Sequence, residues 1–144
     1  MSKRVIEFYI VDILLAIDKI ERYSKNHTNA IDFYYDELSF DATMRELQII
    51  GEATKKLINR NILSNNYRVI VDFRNLIVHE YFGIDADEIW DILKNELPKF
   101  KEVVNTLFLN ANKKLLKEVL EANSLDLKNR SLEFILELKK RIKD

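Results

Sequence analysis

Two glycines and one proline in 144 residues leave this chain few ways to turn sharply. A many-stranded sheet needs a tight turn every few residues, and those turns draw heavily on Gly, Pro, Asn and Asp. A few long helices with short connections need far fewer. The scarcity therefore predicts an all-α fold, an antiparallel helical bundle. The charged third of the chain agrees, because it is mostly Lys and Glu, which are good helix formers.

The apolar pattern places the helices. Val5, Ile6, Tyr9, Ile10, Ile13, Leu14, Ile17 and Ile20 recur at helical spacing and predict a first helix over residues 3–23. Residues 24–29 are a polar break. Residues 30–38, with Phe33, Tyr34 and Tyr35, read as a short aromatic segment of one or two turns that plugs an end of the bundle. Asp41 is the expected N-cap of a second long helix over residues 41–61, with Gly51 inside it where another helix approaches closely. A third helix is expected from Arg68 to Gly83. Asp85 and Glu88 stand in capping-box spacing for a fourth, which Pro98 should kink or restart.

From Asn110 the composition turns to Lys, Leu and Glu, and predicts two more helices joined near residues 123–126. The expected organisation is a helical bundle over residues 1–109 and a C-terminal helical extension over 110–144, packed on the bundle or on a partner.

Charge narrows the function classes. Lys plus Arg is 23 and Asp plus Glu is 24, for a net charge of −1, so no global basic field draws in nucleic acid. Any such contact must be local. The absence of Cys excludes disulfides and zinc–thiolate sites. Glu7 and Asp12 interrupt the first apolar stretch and no small-residue cleavage site follows, so the start does not read as a signal peptide. No apolar run approaches membrane-spanning length. A cytoplasmic protein without a membrane contact is expected.

The stretch Arg74-Asn75-Leu76-Ile77-Val78-His79-Glu80-Tyr81-Phe82-Gly83 sets an Arg, an Asn, a His and a Tyr in an apolar run. Burying such groups without partners costs free energy. On a helix Asn75 and His79 share a face, whereas Arg74 and His79 are offset by roughly 140°. A cleft receiving groups from two chains lets both reach one substrate. Arg offers a permanently charged donor fork that fits a phosphodiester, and His moves protons near neutral pH. Together they suffice for metal-free RNA cleavage through attack of a 2′-hydroxyl on the adjacent phosphorus. Tyr81 can face substrate, orient His79 or accept a modification. The spacing equally allows a satisfied polar patch, with Arg74 paired to Asp72, Glu80 or Glu52, and both readings stand on the residues alone. Neither His27 nor His79 has the partner spacing of a zinc site, and no Gly-rich phosphate loop is present, so neither a metal nor another cofactor is expected.

The wider pattern resembles the HEPN superfamily, and within it the HepT-like toxins of HepT/MntA toxin–antitoxin modules. The likeness covers about residues 5–105. It rests on Asp12-Ile13, Ala16-Ile17 and Ile20, on Asp41-Ala42 and Arg45, and on Ile49-Ile50-Gly51-Glu52-Ala53. It continues through Phe73-Arg74-Asn75, Val78-His79-Glu80-Tyr81-Phe82-Gly83, Asp85, Trp90 and Leu97-Pro98. The loop Asn65-Asn66-Tyr67-Arg68 lacks the Pro common at that place. The resemblance implies a homodimer in which two R-x4-H-x-Y motifs meet in an interface cleft. It implies a metal-independent endoribonuclease acting on RNA such as tRNA or mRNA, with Arg74 and His79 catalytic and Asn75 and Tyr81 positioning substrate. It further implies that an MntA-like nucleotidyltransferase antitoxin neutralises the toxin by adding AMP to Tyr81. HEPN domains also serve as non-catalytic subunits that partner a nucleotidyltransferase, which is the alternative.

Overall fold

The structure, a computed structural model, describes residues 4–79, 85–125 and 129–143; of residues 74–79 and 129 it describes the backbone alone. The described residues form α-helices and their connections, without a strand, as the scarcity of turn formers predicts.

The bundle is assembled around its first helix, α1 (Ile6–Ser24). Ile10, Val11, Ile13, Leu14, Ala16, Ile17 and Ile20 are all essentially inaccessible to solvent. Such a run covers more than one stripe of a helix, so α1 must be wrapped by neighbours on several sides. Those neighbours are α3 (Glu37–Asn59), α6 (Leu97–Asn110), α7 (Lys113–Ser124) and α8 (Asn129–Arg141). Gly51 is buried in α3, the helix that packs against both α1 and α4 (Arg68–His79).

The aromatic segment is helix α2 (Ala30–Tyr35), capped by Asn29, whose side chain accepts the Asp32 N–H at 2.9 Å. Phe33 is its plug. It is buried against Phe40 and Trp90, with ring centroids 5.6 Å away in each case. Tyr34 and Tyr35 are exposed instead.

The start of the next helix differs from expectation. Asp41 lies inside α3, and the cap is Asp36, whose side chain accepts the Ser39 N–H at 3.2 Å. His27 donates or shares a proton from Nε2 with the other Asp36 oxygen at 2.9 Å. Asp36 thus closes one helix and opens the next, fixed by a side chain nine residues earlier that local spacing does not reveal.

After α3 the chain turns at Asn61, which takes a positive φ of 61°. Asn tolerates this left-handed conformation better than most residues. Helix α5 (Ala86–Asp91) carries its expected cap, since the Asp85 side chain accepts from Asp87 and Glu88. Pro98 restarts the helix: a π-helical stretch, Ile92–Glu96, leads into α6, with the proline in the first turn. A proline has no N–H to return to the carbonyl four residues back, so the turn before it widens.

The C-terminal extension is continuous with the bundle core. Leu116, Leu120, Ile135 and Leu138 are buried in the same cluster as the α1 side chains. Asn112 caps α7 by accepting the Leu115 N–H at 3.0 Å, while its own N–H donates to the buried Glu7 carboxylate at 3.4 Å. Arg22 on α1 donates from Nη2 to Ser131 Oγ on α8 at 3.0 Å.

A core role for the extension has a measurable consequence. Leu120→Ala should destabilise the whole fold by about 2–5 kcal/mol in urea unfolding. Leu109→Ala, at an exposed position, should change stability by no more than about 0.5 kcal/mol. An extension that is only loosely attached would leave the main transition unmoved by Leu120→Ala.

Candidate functional site

Two regions hold the polar groups singled out in the sequence. The first is α4. Ser64 opens the 3-10 turn Asn65–Tyr67 by accepting the Asn66 N–H at 3.3 Å, and α4 follows directly. Tyr67 stacks obliquely on Phe100 with centroids 5.8 Å apart, and Ile70 and Val71 enter the core. This anchors the N-terminal half of α4 against α3 and fixes where its second half runs.

Arg74, Asn75 and His79 all stand on α4 in one unbroken helix. Backbone register puts Asn75 and His79 one turn apart and leaves Arg74 and His79 offset by about 140° around the axis and about 7.5 Å along it. The side chains of these three residues, and the whole of Tyr81, lie outside the described residues, as does the end of the motif at Gly83.

The second region is a cleft of about 520 Å³ between α1 and α3. Its walls include Arg4, Phe8, Tyr9 and Asp12 from the first helix and its approach, and Arg45, Gln48, Glu52 and Lys56 from α3. Asp12, Arg45 and Glu52 belong to the pattern quoted above, and the fold brings all three to one hollow. The same spacing was open to view in the sequence: 45, 48, 49, 52 and 56 form one stripe of a helix. What the sequence lacked was the partner stripe on α1.

Electrostatics single out Asp12. Burial raises its carboxyl from the ordinary 3.8 to about 6; Arg4 and Lys19 pull it down, and Glu46 pushes it up. Glu46 itself is raised by burial, opposed first by Lys19, whose Nζ lies 3.8 Å from its carboxylate. His27 belongs to a different setting. It sits beside Phe33 and binds Asp36, whose carboxyl is held low first by hydrogen bonding to Ser39 and then by His27. This is a helix-capping arrangement at the edge of α2. Among the described residues no group of three His, Asp or Glu side chains is placed to hold a metal ion, and no helix is long and apolar enough to cross a membrane.

Asp12 makes stability depend on pH. Its folded pKa lies above the unfolded one, so the folded state holds the proton more tightly, and stability falls as pH rises from 3.8 to about 6. Asp12→Asn is neutral throughout. It should be more stable than wild type near neutrality by about 1 kcal/mol, after allowance for solvent screening of a partly exposed group. That gain should vanish near pH 4, as read by thermal or urea unfolding at the two pH values. An equal gain at both would contradict the burial account.

Comparison with known proteins agrees with these features. A family model described as "Ribonuclease HepT-like" matches residues 13–107, from α1 through most of α6. A Methanocaldococcus jannaschii protein named "Gamma-glutamylcyclotransferase and putative RNase MJ0434" is 31 % identical over 97 % of this chain, which covers 65 % of that relative. A shorter one from the same organism, named "Putative RNase MJ1380", is 34 % identical over 72 % of this chain and 97 % of its own length. "Probable ribonuclease HepT" of Thermococcus cleftensis is 33 % identical over 69 % of this chain and 92 % of its own. No solved structure matches. The motif on α4, the all-helical bundle and these matches place the chain in one family: it belongs to the HepT-like ribonucleases.

Proposed function

We propose that this chain is the toxin of a toxin–antitoxin module, a metal-independent endoribonuclease whose site is shared between two copies. The observation that carries this reading is the placement of Arg74 and His79 on one continuous helix in a chain of the HepT-like ribonuclease family. Two groups about 140° apart on a straight helix do not converge on one phosphate from a single chain. Two α4 helices facing each other across a dyad bring the Arg of one copy to the His of the other.

The reaction follows from the groups. His79 takes the proton of an RNA 2′-hydroxyl as that oxygen bonds to the adjacent phosphorus. The bond from phosphorus to the 5′-oxygen breaks, and a protonated imidazole returns a proton to the leaving oxygen. Products are a 2′,3′-cyclic phosphate and a 5′-hydroxyl. Arg74 stabilises the extra negative charge on the phosphorane oxygens with its donor fork, and Asn75 and Tyr81 position the strand.

Tyr81 is also the proposed control point. A partner nucleotidyltransferase antitoxin transfers AMP from ATP: the phenol oxygen bonds to the α-phosphorus and pyrophosphate leaves. The adduct sets bulk and negative charge two residues from His79, where an RNA phosphate must sit.

A second reading, a non-catalytic subunit that holds such a nucleotidyltransferase, draws on a different observation. Ile31, Tyr34, Tyr35 and Leu38 are exposed together around α2. Exposed apolar groups of this kind are a common mark of protein contact.

Purified wild-type protein should cleave cellular RNA in the presence of a chelator. Arg74→Ala and His79→Ala should each lose activity by roughly 100-fold or more with unfolding curves unchanged. Equal cleavage by wild type and both variants, or none by any of them together with harmless overexpression, would favour the binding subunit. Mass spectrometry after co-expression with an MntA-like nucleotidyltransferase should find an AMP adduct on Tyr81 and none on Tyr81→Phe. A relieved toxicity without that adduct would refute the proposed control.

A further inference from the structure

Helix α2 and the start of α3 present an apolar face that the core does not cover. Ile31, Tyr34, Tyr35 and Leu38 are exposed, Tyr35 to 78 % and Leu38 to 82 %. Clustered apolar surface of this kind marks a place where another molecule sits. The face is held in shape by the core beneath it. Tyr34 meets Tyr35 edge to face with centroids 5.4 Å apart and meets Phe40 at 5.1 Å, and Phe40 is itself buried against Phe33. Rings fixed in this way lose little freedom when a partner arrives.

Charge decides what can cover it. Residues 26–44 hold four carboxylates, Asp32, Asp36, Glu37 and Asp41, and no Lys or Arg. Helix α5 packs against α2, with the Trp90 and Phe33 ring centroids 5.6 Å apart. Residues 85–93 there add Asp85, Asp87, Glu88 and Asp91, again with no Lys or Arg. All of these carboxylates except Asp36 are exposed. Two cations border the region. Lys94 lies 4.5 Å over the Trp90 ring, and Arg45 stands one turn beyond Asp41 on the wall of the α1 cleft. Asp36 is bonded to His27. Among the described residues, Glu37, Asp41, Asp87 and Glu88 have no Lys or Arg within ion-pair distance.

Three occupants meet such a surface differently. An RNA strand brings phosphates to a field of carboxylates and is repelled. A second copy docked by the same face across a dyad sets each carboxylate cluster against its own image. A protein segment rich in Lys or Arg and carrying apolar anchors matches both the rings and the charge.

We propose that the α2–α5 face docks a cationic, amphipathic segment of another protein. Its apolar side chains cover Tyr34, Tyr35 and Leu38, and its Lys and Arg groups pair with Glu37, Asp41, Asp87 and Glu88. The face lies outside the R-x4-H-x-Y motif, so its occupant does not depend on whether the chain cleaves RNA.

The test adds to the full chain a short fluorescein-labelled peptide of Leu and Lys, patterned as an amphipathic helix, at physiological salt. Anisotropy gives the affinity and backbone amide shifts give the location. Saturable shifts should map to residues 31–41 and 85–91. A peptide with Glu for Lys, and another with Ser for Leu, should each bind more weakly by roughly tenfold or more. Chains bearing Tyr35→Ser with Leu38→Ser, or Glu37→Lys with Asp87→Lys, should lose as much. All four positions are exposed, so the fold should persist. RNA cleavage by the Tyr35→Ser, Leu38→Ser chain should match wild type, so docking and catalysis are read separately. Shifts that are absent or lie elsewhere, equal binding of the Glu peptide, or unchanged affinity in either double variant overturns the proposal. Self-association of the free chain that is lost in the Tyr35→Ser, Leu38→Ser variant assigns the face to a second copy and also overturns it. Saturable shifts at α2 on adding single-stranded 2′-O-methyl RNA assign it to nucleic acid, with the same consequence. A wild-type protein that binds the peptide at this face but cleaves no RNA leaves the docking face standing and removes the ribonuclease reading.

Discussion

Burial of α1 is the interaction on which the rest of this structure depends. Its apolar side chains from Ile10 to Ile20 are covered by α3 and α6 and by both helices of the C-terminal extension. Each fully buried Ile or Leu contributes about 1.5–3 kcal/mol before conformational entropy is counted. The helix cannot be stripped on one side without exposing that surface. This explains why α7 and α8 belong to the same core as the bundle and why their polar ties, Glu7 to Asn112 and Arg22 to Ser131, run to α1. It also explains the position of Asp12. A carboxylate on a helix so thoroughly wrapped is partly dried out, and its proton affinity rises accordingly.

Much of this was legible in the sequence, for identifiable reasons. Scarce Gly and Pro gave the all-helical class, because local propensity and tertiary structure agree along the whole chain. Asp85 and Pro98 act within a turn of where they stand, so their effects on α5 and α6 could be read directly. The start of α3 could not. Asp36 takes the capping place expected of Asp41, and it also bonds His27, a contact between segments that local spacing does not show. The cleft was half legible. Its α3 stripe shows in the spacing of Arg45, Gln48, Glu52 and Lys56, whereas the pairing of that stripe with Phe8, Tyr9 and Asp12 depends on how two helices cross.

Function divides along the same lines. The residues that α4 displays in its second half are fixed by covalent spacing, and the family match strengthens the meaning of that spacing. Helix α3 packs against α4 and also contributes to the wall of the α1 cleft. A single rigid helix therefore supports both the motif-bearing helix and the polar hollow. Rigid elements hold site geometry better than loops do. The net charge of −1 requires that any grip on RNA be local.

The central claim is that Arg74 of one copy and His79 of another act on the same phosphate. Subunit mixing tests it most directly. Arg74→Ala and His79→Ala chains, each inactive alone, are unfolded together, refolded and assayed for RNA cleavage. In a mixed dimer one of the two sites has both wild-type groups, so random pairing should restore roughly a quarter of wild-type activity. If the mixture stays as inactive as either variant while mixed dimers are shown to form, the two groups do not act across the interface, and the shared site is wrong.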